Sequence, residues 1–190
     1  MTNKEEIEIL STQIKWEPIA SDGGMTEQMY LSSDKELTAL KQYLGAELPD
    51  DYVWFMKNIG RRVFNDDRIH MKLNGVSLSC LDWFRDAVDV LTFTKMASEK
   101  DDDGDLQIPA NLLIISDSIS RDNFLLDVSS EHYGKVWFRH HDAKWRMMNA
   151  ERADGLVLVA NSFSDLLSKI IKNTSPSDID FNFSSDDKIV

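Results

Sequence analysis

One cysteine, Cys80, occurs in 190 residues. An intrachain disulfide is therefore excluded, and so is a metal cluster built on cysteines. No apolar run approaches the roughly 18 residues that span a bilayer as a helix. The opening residues, Met1-Thr2-Asn3-Lys4-Glu5-Glu6, are acidic and lack the basic-then-apolar order of a secretory signal. Together these absences predict a cytoplasmic protein. Positive charge is also scarce: 21 Lys and Arg stand against 33 Asp and Glu, for a formal net charge of −12. A field of that sign repels phosphates and argues against nucleic-acid binding by the molecule as a whole. It suits a basic protein partner, and equally well mere solubility. A glycine-rich phosphate loop and a Gly-x-Ser-x-Gly nucleophile elbow are both missing.

What is present is enough for one domain with a real core, since 42% of the residues are hydrophobic. The most informative stretch runs from Ile108 to Trp145. Leu112-Leu113-Ile114-Ile115, Phe124-Leu125-Leu126-Asp127-Val128 and Val136-Trp137-Phe138-Arg139-His140 are short apolar runs separated by polar turns, the pattern of sequential antiparallel strands. Leu156-Val157-Leu158-Val159 reads as a further strand that passes directly into a helix capped by Ser162. That helix buries Phe163, Leu166, Leu167, Ile170 and Ile171.

Ahead of this region, Ile7, Leu10 and Ile14 fall on one side of a short helix over 4–14. Ser33 and Glu36 have capping-box spacing, Leu37, Leu40 and Leu44 supply an apolar face, and Gly45 is placed to end that helix. Pro49-Asp50-Asp51 opens the next, with proline in its first turn and acids at the positive end of the macrodipole. Val63-Phe64 and a hairpin over 69–78, turning at Asn74-Gly75, follow. Leu81, Phe84, Val88 and Leu91 recur at spacings of three, four and three, which predicts a helix over 81–96 capped by Ser79. Residues 173–190 are rich in Ser, Asp and Asn and read as a mobile acidic tail. The order of elements predicts an α+β fold: a mostly antiparallel sheet with helices on one face. Residues 1–32 form an N-terminal extension, 33–172 the domain and 173–190 the tail.

Candidate chemistry is sparse. From Glu99 to Asp105, five acids and one lysine give a net charge of −4. Read as a calcium loop from Glu99, this run fails at its twelfth position, which is Ala110 where a bidentate Glu is required. His140 and His141 are neighbours on a predicted strand and point to opposite faces, so they do not readily share one ion. Glu131 to Arg152 is locally basic and carries Trp137, Phe138 and Trp145, a pairing that can bind single strands. Trp137 and Phe138 nevertheless sit where core residues belong. No catalytic residue, cofactor or metal site emerges.

Three segments resemble the SUKH superfamily, which includes fungal cell-wall-synthesis regulators and many bacterial immunity proteins. They are Leu48-Pro49-Asp50-Asp51-Tyr52-Val53-Trp54-Phe55-Met56, then Ile108-Pro109 through Phe124–Asp127 to Lys135–Asp142, and finally Val159-Ala160-Asn161-Ser162-Phe163-Ser164-Asp165-Leu166-Leu167. With the intervening chain they cover roughly residues 33 to 172. The resemblance implies a non-enzymatic α+β domain that binds a protein. One implied role is neutralising a cognate polymorphic toxin, a nuclease among them, whose basic cleft acids would block. The other is a regulatory or scaffold module of the cell-wall-regulator type. The motif residues are core or caps, so the partner surface is expected from charge: Glu99, Asp101, Asp102, Asp103 and Asp105, with Asp66 and Asp67.

Overall fold

The computed structural model describes residues 3–19, 26–64, 69–73, 76–99, 108, 111–117, 122–139, 156–172 and 180–181. Helix α1 (Asn3–Gln13) is followed by a 3-10 turn (Glu27–Tyr30), α2 (Asp34–Leu44), α3 (Asp50–Asn58) and β1 (Arg62–Val63). Next come β2 (Ile69–Leu73), β3 (Val76–Leu81), β4 (Trp83–Phe84) and α4 (Ala87–Ala97). The remainder is β5 (Leu112–Asp117), β6 (Asn123–Asp127), β7 (Val136–Arg139), β8 (Leu156–Ala160), α5 (Phe163–Lys172) and β9 (Asp180–Phe181).

Six strands form one sheet in the order β1-β4-β5-β6-β7-β8, with every neighbouring pair antiparallel. The α+β, mostly antiparallel architecture predicted from the sequence is therefore present. Strands alternate their side chains between faces, and both faces are used. Leu113, Ile115, Phe124, Leu126, Val128, Val136, Phe138 and Val159 look towards the main core, where the helices contribute Ile7, Leu37, Leu40, Tyr52, Phe55, Met56, Ala87, Val90, Phe163, Leu166, Leu167 and Ile170. Leu112, Ile114 and Leu125 form a smaller cluster with Ala97 and Ile108, joined by Trp137 and Leu156. Aromatic rings knit the main core together. Phe55 and Phe163 lie 4.9 Å apart, Phe84 and Phe163 5.3 Å, and Tyr52 and Phe163 5.0 Å, all tilted or edge-on as ring quadrupoles favour.

The helix boundaries follow local chemistry. Ser33 and Glu36 make the full capping box at α2, and Gly45 ends it in the left-handed conformation. Pro49 caps α3. At α5, Ser162 Oγ accepts from the Asp165 N–H while Asp165 Oδ2 accepts from the Asn161 N–H, so two orphan amides are satisfied reciprocally.

The helix expected over 81–96 is shorter than its spacing suggested. Leu81 and Phe84 belong to β3 and β4, and α4 starts only after Asp86, whose side chain accepts from the Asp89 N–H. Asp86 is thus the cap, in place of Ser79. The buried side of α4 is Ala87, Val90, Thr94 and Ala97, while Val88 faces outward. The early end of α4 joins the main core and Ala97 the smaller one, so the helix crosses the edge of β5. There Thr94 Oγ1 accepts from the Ile114 N–H at 3.1 Å, satisfying a donor that no strand neighbours.

Residues ahead of α2 are sewn into the same body. Ile7 is fully buried, Trp16 packs 5.1 Å from Phe64, and the Glu17 N–H donates to the Val63 carbonyl. At the other end, β9 pairs in parallel with β2 beside the β2–β3 hairpin. Asp180–Phe181 of the expected tail thus forms a strand. Main-chain pairing supplies what that segment's sparse apolar residues do not advertise.

Candidate functional site

Of the acids expected to meet a partner, Glu99 is described, exposed and directly beyond the C-terminus of α4. Asp66, Asp67, Asp101, Asp102, Asp103 and Asp105 lie outside the described residues, as do His140 and His141. Glu99 nevertheless has an informative setting. The C-terminal end of a helix carries partial negative charge, and Lys95 is the one basic residue of the last turn. Lys95 leans over the Tyr43 ring at 5.2 Å. An acid at this end therefore adds to a negative field that the helix has already set up.

Beside Glu99 the surface is apolar. Met96 is 59% exposed and Tyr43 40%, while Val88 is exposed at the opposite, N-terminal end of α4. Phe93 lies under the Arg85 guanidinium, 3.6 Å from the ring centroid. Arg85 itself is nearly buried, and burial lowers its pKa to about 10, with Asp89 opposing that shift. A pocket of about 220 Å³ opens between α2, α4 and the start of β5, lined by Tyr43, Leu44, Thr94, Ser98, Ile108, Asn111 and Leu112.

The second concavity gathers residues from four distant segments. The first turns of α3 and α5 lie side by side, joined by Asp51, which is buried. Its Oδ1 accepts from the Tyr52 N–H at 2.8 Å, and its Oδ2 accepts from the N–H and hydroxyl of Ser164 at 2.9 and 3.0 Å. One carboxylate thus serves two helix N-termini and cancels their partial positive charge. Above it sits the tight turn between β6 and β7. Asp127 Oδ1 accepts from the Ser129 N–H, and the Gly134 N–H donates to the Asp127 carbonyl. Gly134 takes φ +84, which favours glycine, and Tyr133 is displayed with 48% of its surface exposed. The result is a cleft of about 400 Å³ lined by Lys4, Pro49, Asp50, Asp51, Tyr133, Gly134, Asn161 and Ser162. The Tyr133 phenol is pushed above its ordinary pKa, first by partial burial and then by Asp50, Glu47 and Asp51.

This cleft was not among the sites read from the sequence. Its one local signal was the doubled acid at Asp50-Asp51, where a single acid suffices to serve the dipole. The basic, aromatic stretch fares differently. Phe138 is core, Trp137 donates its indole N–H to Asp127 Oδ2 at 3.1 Å, and Arg139 is buried against Asn123 at 2.6 Å. Burial lowers the Arg139 pKa to about 10, with Asp122 opposing. Those side chains build the sheet. Among the described residues, no three His, Cys, Asp or Glu side chains come together to hold a metal ion, and no helix is long and apolar enough to cross a membrane.

The model of the SMI1 / KNR4 family (SUKH-1) matches residues 31–169, well over half of the chain. The chain belongs to that family. Members of the SUKH group are in general non-enzymatic immunity or regulator proteins that act through protein–protein contacts. The match spans α2 to α5 and leaves α1, with Lys4, outside it. A search of curated proteins gave no match to the chain.

Proposed function

We propose that this SUKH-1 protein is a cytoplasmic immunity protein that binds and neutralises a cognate polymorphic toxin, and that the toxin is basic, as a nuclease is. The observation that carries the reading is the surface at the end of α4. Exposed Met96 and Tyr43 lie beside a helix terminus of negative potential. There the chain continues into Glu99, Asp101, Asp102, Asp103 and Asp105. An apolar centre with a charged rim is the usual anatomy of a protein interface. The pocket between α2 and α4 offers a place for one anchoring side chain. Asp66 and Asp67, which follow β1 in the sequence, are assigned to the same partner contact on their charge.

Neutralisation then works by occlusion. A toxin that grips phosphates presents a cationic cleft, and an acidic protein seated on it excludes the nucleic acid. Association is steered by the opposed fields and slows as salt rises. No side chain of the protein needs to react. Co-expression with the toxin encoded beside the gene tests this: the two proteins should co-purify, and cells carrying both should survive. A gene neighbour that is no toxin, or a toxin that neither binds nor is neutralised, would reject it.

A further inference from the structure

We infer that the cleft between the first turns of α3 and α5 receives a single lysine or arginine side chain from a protein partner. This deepens the reading of a basic partner and assigns it a second, separate point of contact. Two helix N-termini beside a cavity ordinarily suggest an anion site. Here that expectation fails, because buried Asp51 already takes one first-turn amide from each helix and sets its own carboxylate there. An incoming anion would meet exposed Asp50 and, beneath it, Asp51.

A cation meets complementary groups. Among the described residues, the Asp50 carboxylate has no hydrogen-bond or ion-pair partner, and it lines the same cleft as the displayed Tyr133. A carboxylate and an aromatic face are the two groups that hold a guanidinium or ammonium. The raised Tyr133 pKa agrees with this, since after burial its causes are three carboxylates: Asp50, Glu47 and Asp51. The volume of about 400 Å³ admits one long side chain. Lys4 of α1 lines the same cleft, so the chain already places a cation of its own there. An arriving basic side chain has to compete with it. That residue lies outside the family match, which makes the competition a property of this chain.

The test is a titration of the full chain, observed by backbone amide NMR, with N-acetyl-arginine-N-methylamide and with its neutral citrulline counterpart. The arginine compound should shift the amides of Asp50, Tyr133, Gly134, Asn161 and Ser162 saturably, and the citrulline compound should not. Asp50→Asn should weaken binding about threefold, and Tyr133→Leu by about as much. Lys4→Gln should strengthen it about twofold, a change of sign that partial unfolding cannot mimic. Equal shifts with citrulline, shifts scattered over the acidic surface, or an unaffected Asp50→Asn chain would each overturn the inference. The titration needs no toxin, so its failure leaves the immunity reading intact. A toxin that fails to bind, conversely, leaves the titration result standing.

Discussion

Asp51 and Ser164 are 113 residues apart in sequence, yet Asp51 Oδ2 accepts both the backbone N–H and the hydroxyl of Ser164 inside the protein. This contact fixes the angle between α3 and α5 and thereby the floor of the cleft. Asp51→Ala removes a charged acceptor from three buried donors and should destabilise the fold by roughly 3 kcal/mol. Ser164→Ala removes one of those donors and should cost roughly 1 kcal/mol. Urea unfolding of the two variants checks the ratio. Equal losses would mean that Asp51 acts through something other than these bonds.

Two glycines with similar backbones should respond differently to alanine. Gly45 has φ +64 with open space around it, and Gly60 has φ +69. A Cβ at Gly60 would run into the Tyr30 carbonyl, which also accepts the Arg61 N–H at 2.8 Å. Gly45→Ala should cost about 1 kcal/mol, the left-handed penalty alone. Gly60→Ala should exceed roughly 2 kcal/mol, because the 3-10 turn must shift as well. Thermal melts of both variants read the difference.

Tyr52 is wholly buried, and among the described residues its hydroxyl has no hydrogen-bond partner. Burial, followed by Asp86, drives its pKa far above the ordinary tyrosine value. Below pH 10 the phenol is neutral in both folded and unfolded chains. Above pH 10 the unfolded chain releases the proton and the folded one keeps it, so stability falls as pH rises. Tyr52→Phe should remove that part of the alkaline loss. Near neutral pH it should leave stability unchanged or raise it by about 1 kcal/mol, since a buried hydroxyl without a partner disappears. Urea midpoints at pH 7 and pH 10.5 test both halves.

Most of the scaffold was legible because its signals are local. Ser33–Glu36 capping, the Pro49-Asp50-Asp51 helix start, the strands of 112–139 and the Ser162 cap each depend on residues within a few positions. The start of α4 was misread because Leu81 and Phe84 happen to fall at helical spacing from Val88. The Asp86 cap, three residues before Asp89, was the better signal. The cleft could not be read at all. Lys4, Asp50, Tyr133 and Asn161 come from four segments that only the assembled sheet and packed helices bring together. Glu99 was legible as charge, whereas the exposed Met96 near it depends on which way α4 rolls.

The surface at the end of α4 is tested most directly by reversing its charge. The chain carrying Glu99→Lys, Asp101→Lys, Asp102→Lys, Asp103→Lys and Asp105→Lys should be titrated calorimetrically against the toxin encoded beside the gene. Binding should weaken by more than about tenfold and lose much of its salt dependence. A reversed chain that binds and protects as well as the unaltered one would contradict the account.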